Sequence, residues 1–374
     1  MIRKLDRYVL RIFLTSTASA LLVCAGLVVL LHQLQHFDNL MATRKALKAA
    51  GELDLVGKLF PLTVKFYLCE VAIRFFQYAP FVVLFGTVFT AARLHRTHES
   101  VAMLASGVSL PRGFLPVFVA AGLIAATHFT FRETLLPTVA RESAELDTLL
   151  FEGKRERVVE KLSFVDDAGR RIRFARYWPE KARGERCEIY AHGADQVVRS
   201  LSASVATYLI EDGRGHWTFI DAKTSAISRT GAPVADGNSP QWWDRELQFT
   251  PADCETAARW QLDPTYLSFR ELETLARRNP SSSHIQVLLH TSLVAALANL
   301  LLPLLGLPCV LRIEKRSTIE GVVFAIGLAV LYYAFSLFCI QLGIEETVGP
   351  VAAAWLPVIL FGSLGIVLFE SMKT

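Results

Sequence analysis

The sequence predicts a polytopic α-helical membrane protein with six transmembrane helices, three plus three, around an inserted antiparallel β-domain. Two observations carry this. Six apolar stretches, Phe13 to Leu31, Phe75 to Leu94, Phe114 to Phe131, Ile285 to Leu311, Gly321 to Leu342 and Val351 to Phe369, approach or exceed the roughly 20 residues a helix needs to cross about 30 Å of hydrocarbon. A polar block running from Pro137 to Pro264 separates the third stretch from the fourth and changes period from helical to alternating.

Composition excludes the main soluble classes. With 52% hydrophobic and 20% charged residues, concentrated into long runs, the chain does not read as two water-soluble domains. The net charge of +4 is not a nucleic-acid signature, because Thr134 to Ser283 holds 21 Lys or Arg against 23 Asp or Glu. No nucleic-acid partner is expected. The basic surplus sits at helix ends, where it reports orientation. Arg3, Lys4, Arg7 and Arg11 precede the first span, the connection from Arg93 to Arg112 holds three arginines with its ends counted, and that from Arg312 to Arg316 holds three basic residues counted the same way. Glu345 and Glu346 stand alone in the last connection. The positive-inside rule then puts both termini in the cytoplasm and the β-domain outside. Arg44, Lys45, Lys48, Lys58 and Lys65 disagree, lying on the side assigned to the exterior. The N-terminal run reads as a retained helix rather than a cleaved signal, because no small-x-small site closes it.

Element by element, residues 1–133 hold the first three spans. Between His32 and Glu70, Leu55, Val56, Leu59, Phe60 and Leu62 with Lys58 and Lys65 suggest a helix lying in the interface. Pro80 is expected to kink the second span. The connection from Thr97 to Gly107 predicts a short amphipathic helix on the cytoplasmic surface, stopped by its glycine. Residues 134–266 form the β-domain. There Ile172 and Phe174 alternate with arginines, Leu201, Ala203, Val205, Thr207 and Leu209 alternate with serines, and Trp217 and Phe219 follow. Asp212 to Gly215 supply a hairpin turn. A sandwich or open barrel follows, with a loop at Asp236 to Pro240 before Trp242 and Trp243. Residues 267–283 read as a connecting helix and linker, and residues 284–374 as the last three spans. Cys187 and Cys254 are the only cysteines in the exterior domain, and the residues leave a disulfide between them open.

Enzyme chemistry finds little to stand on. No Gly-x-x-x-x-Gly-Lys-Ser/Thr cradle, His-Glu-x-x-His or Cys-x-x-Cys occurs, and His95 with His98 offers at most two metal ligands. No cofactor, metal or catalytic residue is expected.

Several runs together resemble the lipopolysaccharide-export permease family of the LptF/LptG (YjgP/YjgQ) type. They are Leu5 to Tyr8, Glu99 with Met103 to Gly107, Ala203, Ala206 and Trp217, Leu262 to Pro264 with Leu267 and Ser268, Leu305 to Pro308, Tyr332 with Tyr333, and Ala354 to Pro357. The resemblance covers nearly the whole chain. It implies a periplasmic, jelly-roll-like β-domain and an inner-membrane ABC-exporter half without its own ATPase. The implied partners are a cytoplasmic ABC ATPase dimer, a second LptF/LptG-type permease, periplasmic LptC/LptA-like β-proteins, and lipopolysaccharide or a related large lipid as cargo. It also implies that Glu99, Ser100, Met103, Ser106 and Gly107 form an ATPase-coupling helix within residues 97–107, with Glu99 pairing with a basic partner residue.

A lipid path is suggested by the apolar strand residues Phe174, Leu201, Val205, Trp217 and Phe219, since exposing acyl chain costs about 0.8 kcal/mol per CH₂. At the cavity mouth this chain departs from the family, carrying His32, His36 and Asp38 where Lys or Arg is frequent and His290 to Ser292 where arginine is frequent. His32, Arg44, Lys45 and Arg74 are the headgroup candidates that remain. Two other classes stay open: a membrane-anchored lipid-binding or scaffold protein acting through its β-domain without ATPase coupling, and a secondary transporter. The scarcity of mid-helix ionisable residues argues against the latter.

Overall fold

The six apolar stretches are all helical, and two of the helices are far longer than a bilayer requires. The structure, a computed structural model, describes residues 4–49, 53–192, 197–211, 214–228, 247, 249–311 and 318–372. The predicted turn at Asp212 and Gly213, the loop at 236–240 with Trp242 and Trp243, and the basic connection 312–316 lie outside the described residues. Helices α1 (Lys4–Ala49) and α2 (Leu53–Arg96) run for 46 and 44 residues. At 1.5 Å per residue each exceeds about 65 Å, twice the hydrocarbon thickness. They are followed by α3 (Glu99–Ala105), α4 (Leu110–Thr134) and α5 (Leu136–Phe151). After the β-domain come α6 (Pro251–Leu262), α7 (Phe269–Arg278), α8 (Ser283–Leu311), α9 (Thr318–Ile344) and α10 (Pro350–Glu370). Six of these, α1, α2, α4, α8, α9 and α10, are long and apolar enough to span a membrane.

The chain divides into two compact units. The first comprises Met1–His36, Tyr67–Leu136 and Ser282–Thr374, and the second Phe37–Phe66 with Pro137–Ser281. In the first unit α8 is the central element. It buries Ala298, Leu301, Leu302, Leu305, Leu307 and Val310 against neighbouring helices, including α9 and α10. Small residues permit this approach, as membrane helices lacking a hydrophobic drive toward one another require. A Cβ on Gly321 would sit 2.7 Å from the Cys309 carbonyl oxygen, and one on Gly306 would lie 2.5 Å from the Leu84 side chain.

The second unit corrects the interfacial helix expected between His32 and Glu70. That segment is the continuation of α1 and α2, which extend into a unit of their own with α5. Leu47, Leu59 and Phe66 are buried there, the Phe66 ring meets Phe151 at 5.2 Å, and Lys65 pairs with Glu142. Leu59, one of the residues that read as facing lipid, faces protein instead, whereas Phe60 is 78% exposed. Helix α5, within the range assigned to strands, supplies that partner through Leu146, Leu150 and Phe151.

Among the described residues six antiparallel strands follow: β1 (Val159–Val165), β2 (Arg171–Trp178), β3 (Arg183–His192), β4 (Val197–Glu211), β5 (Arg214–Ile220) and β6 (Lys223–Ser228). They form one sheet in the order β1-β2-β3-β4-β5, with β6 pairing the other half of the long β4. Glu211 pairs with Arg214. A row of residues, Lys161, Ala175, Arg186, Ser204 and Asp221, crosses the sheet where the register passes over one position in each strand. Lys161, Arg186 and Asp221 in this row have φ of 54°, 49° and 56°, and Ser204 Oγ donates to Asp221 Oδ2 at 3.1 Å. Left-handed residues re-aim a strand. The buried face therefore steps by three across the row, from Leu162 to Val159, Phe174 to Tyr177, Cys187 to Gly184 and Ala203 to Ala206.

One apolar face packs under α6 and Phe249, so that Cys254, Ala257 and Ala258 share a core with Phe174, Tyr177 and Trp217. Cys187 and Cys254 are both buried thiols in this core, and burial pushes both well above the ordinary thiol range. Helix α7 is fastened to α6 by charge. Ser268 and Glu271 form a capping box, Arg259 donates two hydrogen bonds to the Glu271 carboxylate, and Arg278 bridges Asp167 and Asp253. Burial pushes the Glu271 carboxyl up, but Arg259 and Ser268 outweigh it and hold it below the usual carboxylate value. The unfolded chain therefore binds this proton more readily than the folded one. The associated stability is present above the ordinary Glu range and is lost as pH falls through the folded value. Thermal melting of the full chain should show this acid sensitivity, and Glu271→Gln should flatten it while costing about 1–2 kcal/mol at neutral pH. An unchanged acid profile in that variant would remove Glu271 as the cause.

Candidate functional site

Helix α3 lies in the connection between two spans, and its ends are set by backbone geometry. His98 at its start has φ 59°, and Gly107 after its end has φ 79°. The Gly107 N–H donates to the Leu104 carbonyl at 2.9 Å and the Val108 N–H to that of Met103 at 2.9 Å, a left-handed termination that glycine makes without strain. The helix is accordingly shorter than the predicted 97–107. Ser100 and Met103 are buried, and the Met103 sulfur sits 3.2 Å from where a Cβ on Gly113 of α4 would stand. Ser100 Oγ lies 3.4 Å from His95 Nδ1, and Ser106 Oγ donates to the Met103 carbonyl at 2.8 Å. Val101, Ala102, Ala105, Ser106 and Gly107 form the exposed side.

Glu99 is half-buried, and its Oε1 accepts two hydroxyl hydrogen bonds, from Tyr8 at 3.0 Å and Thr97 at 2.9 Å. A second tie runs parallel to the first, with Arg112 of α4 donating to both carboxylate oxygens of Asp6 at 3.2 and 3.3 Å. The start of α1 is thus pinned to the α2–α4 connection at two points. Tyr8 and Asp6 stand in the Leu5 to Tyr8 run, but nothing in the sequence indicated what they touch.

Further along α1 a cavity of about 1060 Å³ opens between α1, α2 and the start of α9. Ser16, Val23, Phe85, Phe89 and Ile319 line it, with Arg93 and Arg96 also on its wall. Mostly apolar walls with a basic element suit an amphiphile carrying an anionic group.

The headgroup candidates separate. His32 and Arg74 belong to a polar cluster between α1 and α2, where Tyr67 donates to Gln33 and lies 3.4 Å from His32 Nδ1. Arg74 there contacts Glu70 and Gln77, each at 3.3 Å. Its charge is already opposed one turn away, which weakens it as an anion site. Arg44 and Lys45 are exposed residues of the second unit and are not part of this cluster. Sequence reasoning missed Gln33, Tyr67 and Glu70, and also a buried pair in the membrane unit, His128 and Asn299, 3.3 Å apart.

The strand candidates separate too. Phe174, Leu201 and Trp217 lie in the core under α6, and Trp217 Nε1 donates to the Phe249 carbonyl at 2.8 Å. Phe219 is partly buried at the edge of that core. Val205 is corrected: it pairs with Ile220, which is 55% exposed, while Ala206 next to it is buried. The row through Ser204 shifts the alternation by one, and Val205 leaves the inner face.

Comparison with curated proteins gives no match. The family model described as lipopolysaccharide export system permease LptF/LptG matches residues 7–371. The match takes in both membrane triads, the inserted sheet and the α3 connection, and the chain belongs to the LptF/LptG permease family of the lipopolysaccharide export system.

Proposed function

We propose that this chain is the membrane half of an ATP-driven exporter that lifts lipopolysaccharide or a related large lipid out of the inner membrane, with ATP hydrolysed on a separate cytoplasmic ABC ATPase dimer docked at α3. The observation that carries this reading is Glu99, a carboxylate held in place by two hydroxyls at the start of a short helix between spans. A fixed charge is what recognition of a basic partner residue requires, since it sets register and on-rate. The cavity along α1 supplies an apolar surface for the lipid, and a second permease of the same family would complete it.

Orientation follows the same reading, with both termini cytoplasmic and the β-domain periplasmic, where LptC/LptA-like β-proteins would extend the path. The five basic residues from Arg44 to Lys65 no longer oppose it. All of them lie within or beside Phe37–Phe66, the segment that clusters with the β-domain, and long extramembrane segments carry little weight in the charge rule. Lipid contact in the β-domain is assigned to Phe219 at the core edge rather than to the enclosed Phe174, Leu201 and Trp217.

The test is purification of the tagged chain from native membranes. An ABC ATPase should accompany it, and proteoliposomes of the complex should release lipopolysaccharide on addition of ATP. A chain that purifies without an ATPase, or a complex that releases nothing, overturns the reading.

A further inference from the structure

We propose that Tyr8 is a positioning residue that fastens α1 to the docking helix, so that displacement of α3 by the ATPase is delivered to the wall of the lipid cavity. The inference rests on the docking role of α3 above and adds a route from that helix to the cargo.

Three observations support it. Tyr8 OH donates to Glu99 Oε1 across 91 residues of sequence, so the same carboxylate that faces the partner also holds α1. The Asp6–Arg112 bridge ties the neighbouring turn of α1 to the start of α4, a second attachment of the start of α1 beside the one to Glu99. Only 6% of the apolar window of α1 is buried, whereas 61% of that of α8 is. Leu14, Leu22, Val23, Leu27 and Leu30 are all at least half exposed. Nearer the tie, Val9, Ile12 and Phe13 are buried in the core of the first unit, so the light packing belongs to the helix beyond Phe13, and the polar ties act together with that core on how its start moves. Thr15, Ser16, Ser19, Ala20, Val23 and Cys24 of this helix line the cavity beginning two turns beyond Tyr8. A shift at Glu99 therefore reaches the cavity through one hydrogen bond and a rigid helix. Coupling needs contacts that differ between two states, and a hydroxyl shared between α1 and a partner-facing carboxylate is such a contact.

The experiment uses the whole exporter in proteoliposomes loaded with lipopolysaccharide and reads two quantities, ATP hydrolysed and lipopolysaccharide released. Tyr8→Phe removes the hydroxyl and keeps the ring. It is expected to leave the ATPase bound and hydrolysing while release per ATP falls about tenfold or more, the factor that one lost hydrogen bond to a carboxylate allows. Tyr8→Lys, which can reach Glu99 with a charge, should recover most of the ratio. A merely structural role would lower yield or melting temperature without changing the ratio. Tyr8→Phe with an unaltered ratio in an intact complex overturns the proposal, as does a variant whose only defect is loss of the ATPase. If Glu99→Gln retains both the ATPase and full release, the docking reading itself fails, whatever Tyr8 does.

Discussion

Glu99→Lys is expected to strip the ATPase from the purified complex, lowering its affinity by about 30-fold or more and abolishing lipid release. Truncating or reversing one member of a desolvated interfacial charge pair costs about 2–5 kcal/mol, most of it from the charge left without a partner. The Tyr8 and Thr97 hydroxyls that converge on Glu99 Oε1 lose their acceptor as well, which bears on release rather than on affinity for the ATPase. The fold itself should survive. Glu99 is only half-buried, both hydroxyls can turn to water, and the packing of α3 rests on Ser100 and Met103 rather than on the carboxylate. A melting temperature near that of the parent, together with loss of the ATPase, is the expected pair of results. Retention of an active ATPase by the folded variant would rule out the docking role.

Phe174→Ala is expected to destabilise the second unit by about 3–5 kcal/mol, as deletion of a large buried ring from a packed core does. The Phe174 ring is 1% exposed and lies 5.5 Å from Tyr177, 5.9 Å from Trp217 and 6.4 Å from Phe249, centroid to centroid. Gly184 on the adjacent strand makes room for it, since a Cβ there would stand 2.2 Å from the ring. Neighbours held this closely cannot collapse into the space the ring leaves. Limited proteolysis of the full chain should cut between residues 137 and 281 at much lower protease concentration. Val205→Ala serves as the internal contrast, expected within about 0.5 kcal/mol of the parent because its side chain is off the core face. Equal sensitivity of the two variants would mean that the alternation runs unbroken through Ser204.

The Val205 correction shows where sequence legibility stops. Alternation is a local rule, and Leu201, Ala203 and Val205 alternating with Ser202 and Ser204 carry it across Ser204 on paper. The step of three is set by a row of residues drawn from the whole sheet, of which only the left-handed ones mark a change of direction, and none of Lys161, Arg186 or Ser204 is a glycine that would have signalled it. The long extensions of α1 and α2 fail for a related reason. Leu59 and Phe66 look the same whether lipid or protein covers them, and the covering helix α5 lies some 80 residues away in the chain. The α3 connection was legible because its signals are local, a carboxylate at the start and a glycine at the end. Tyr8 was not, because nothing near it in sequence refers to residue 99.

By itself the sequence determined the six spans, the inserted antiparallel sheet, the short helix in the second connection and the family. Each follows from a property a contiguous segment carries alone, such as apolar length against a fixed hydrocarbon thickness or a period of two. Only the tertiary structure decided that α1 and α2 continue into the β-domain unit, that Val205 faces outward, that Arg74 is opposed by Glu70, and that Tyr8 grips Glu99. Those outcomes depend on which distant surfaces meet when the chain closes, and no window along the chain holds both partners.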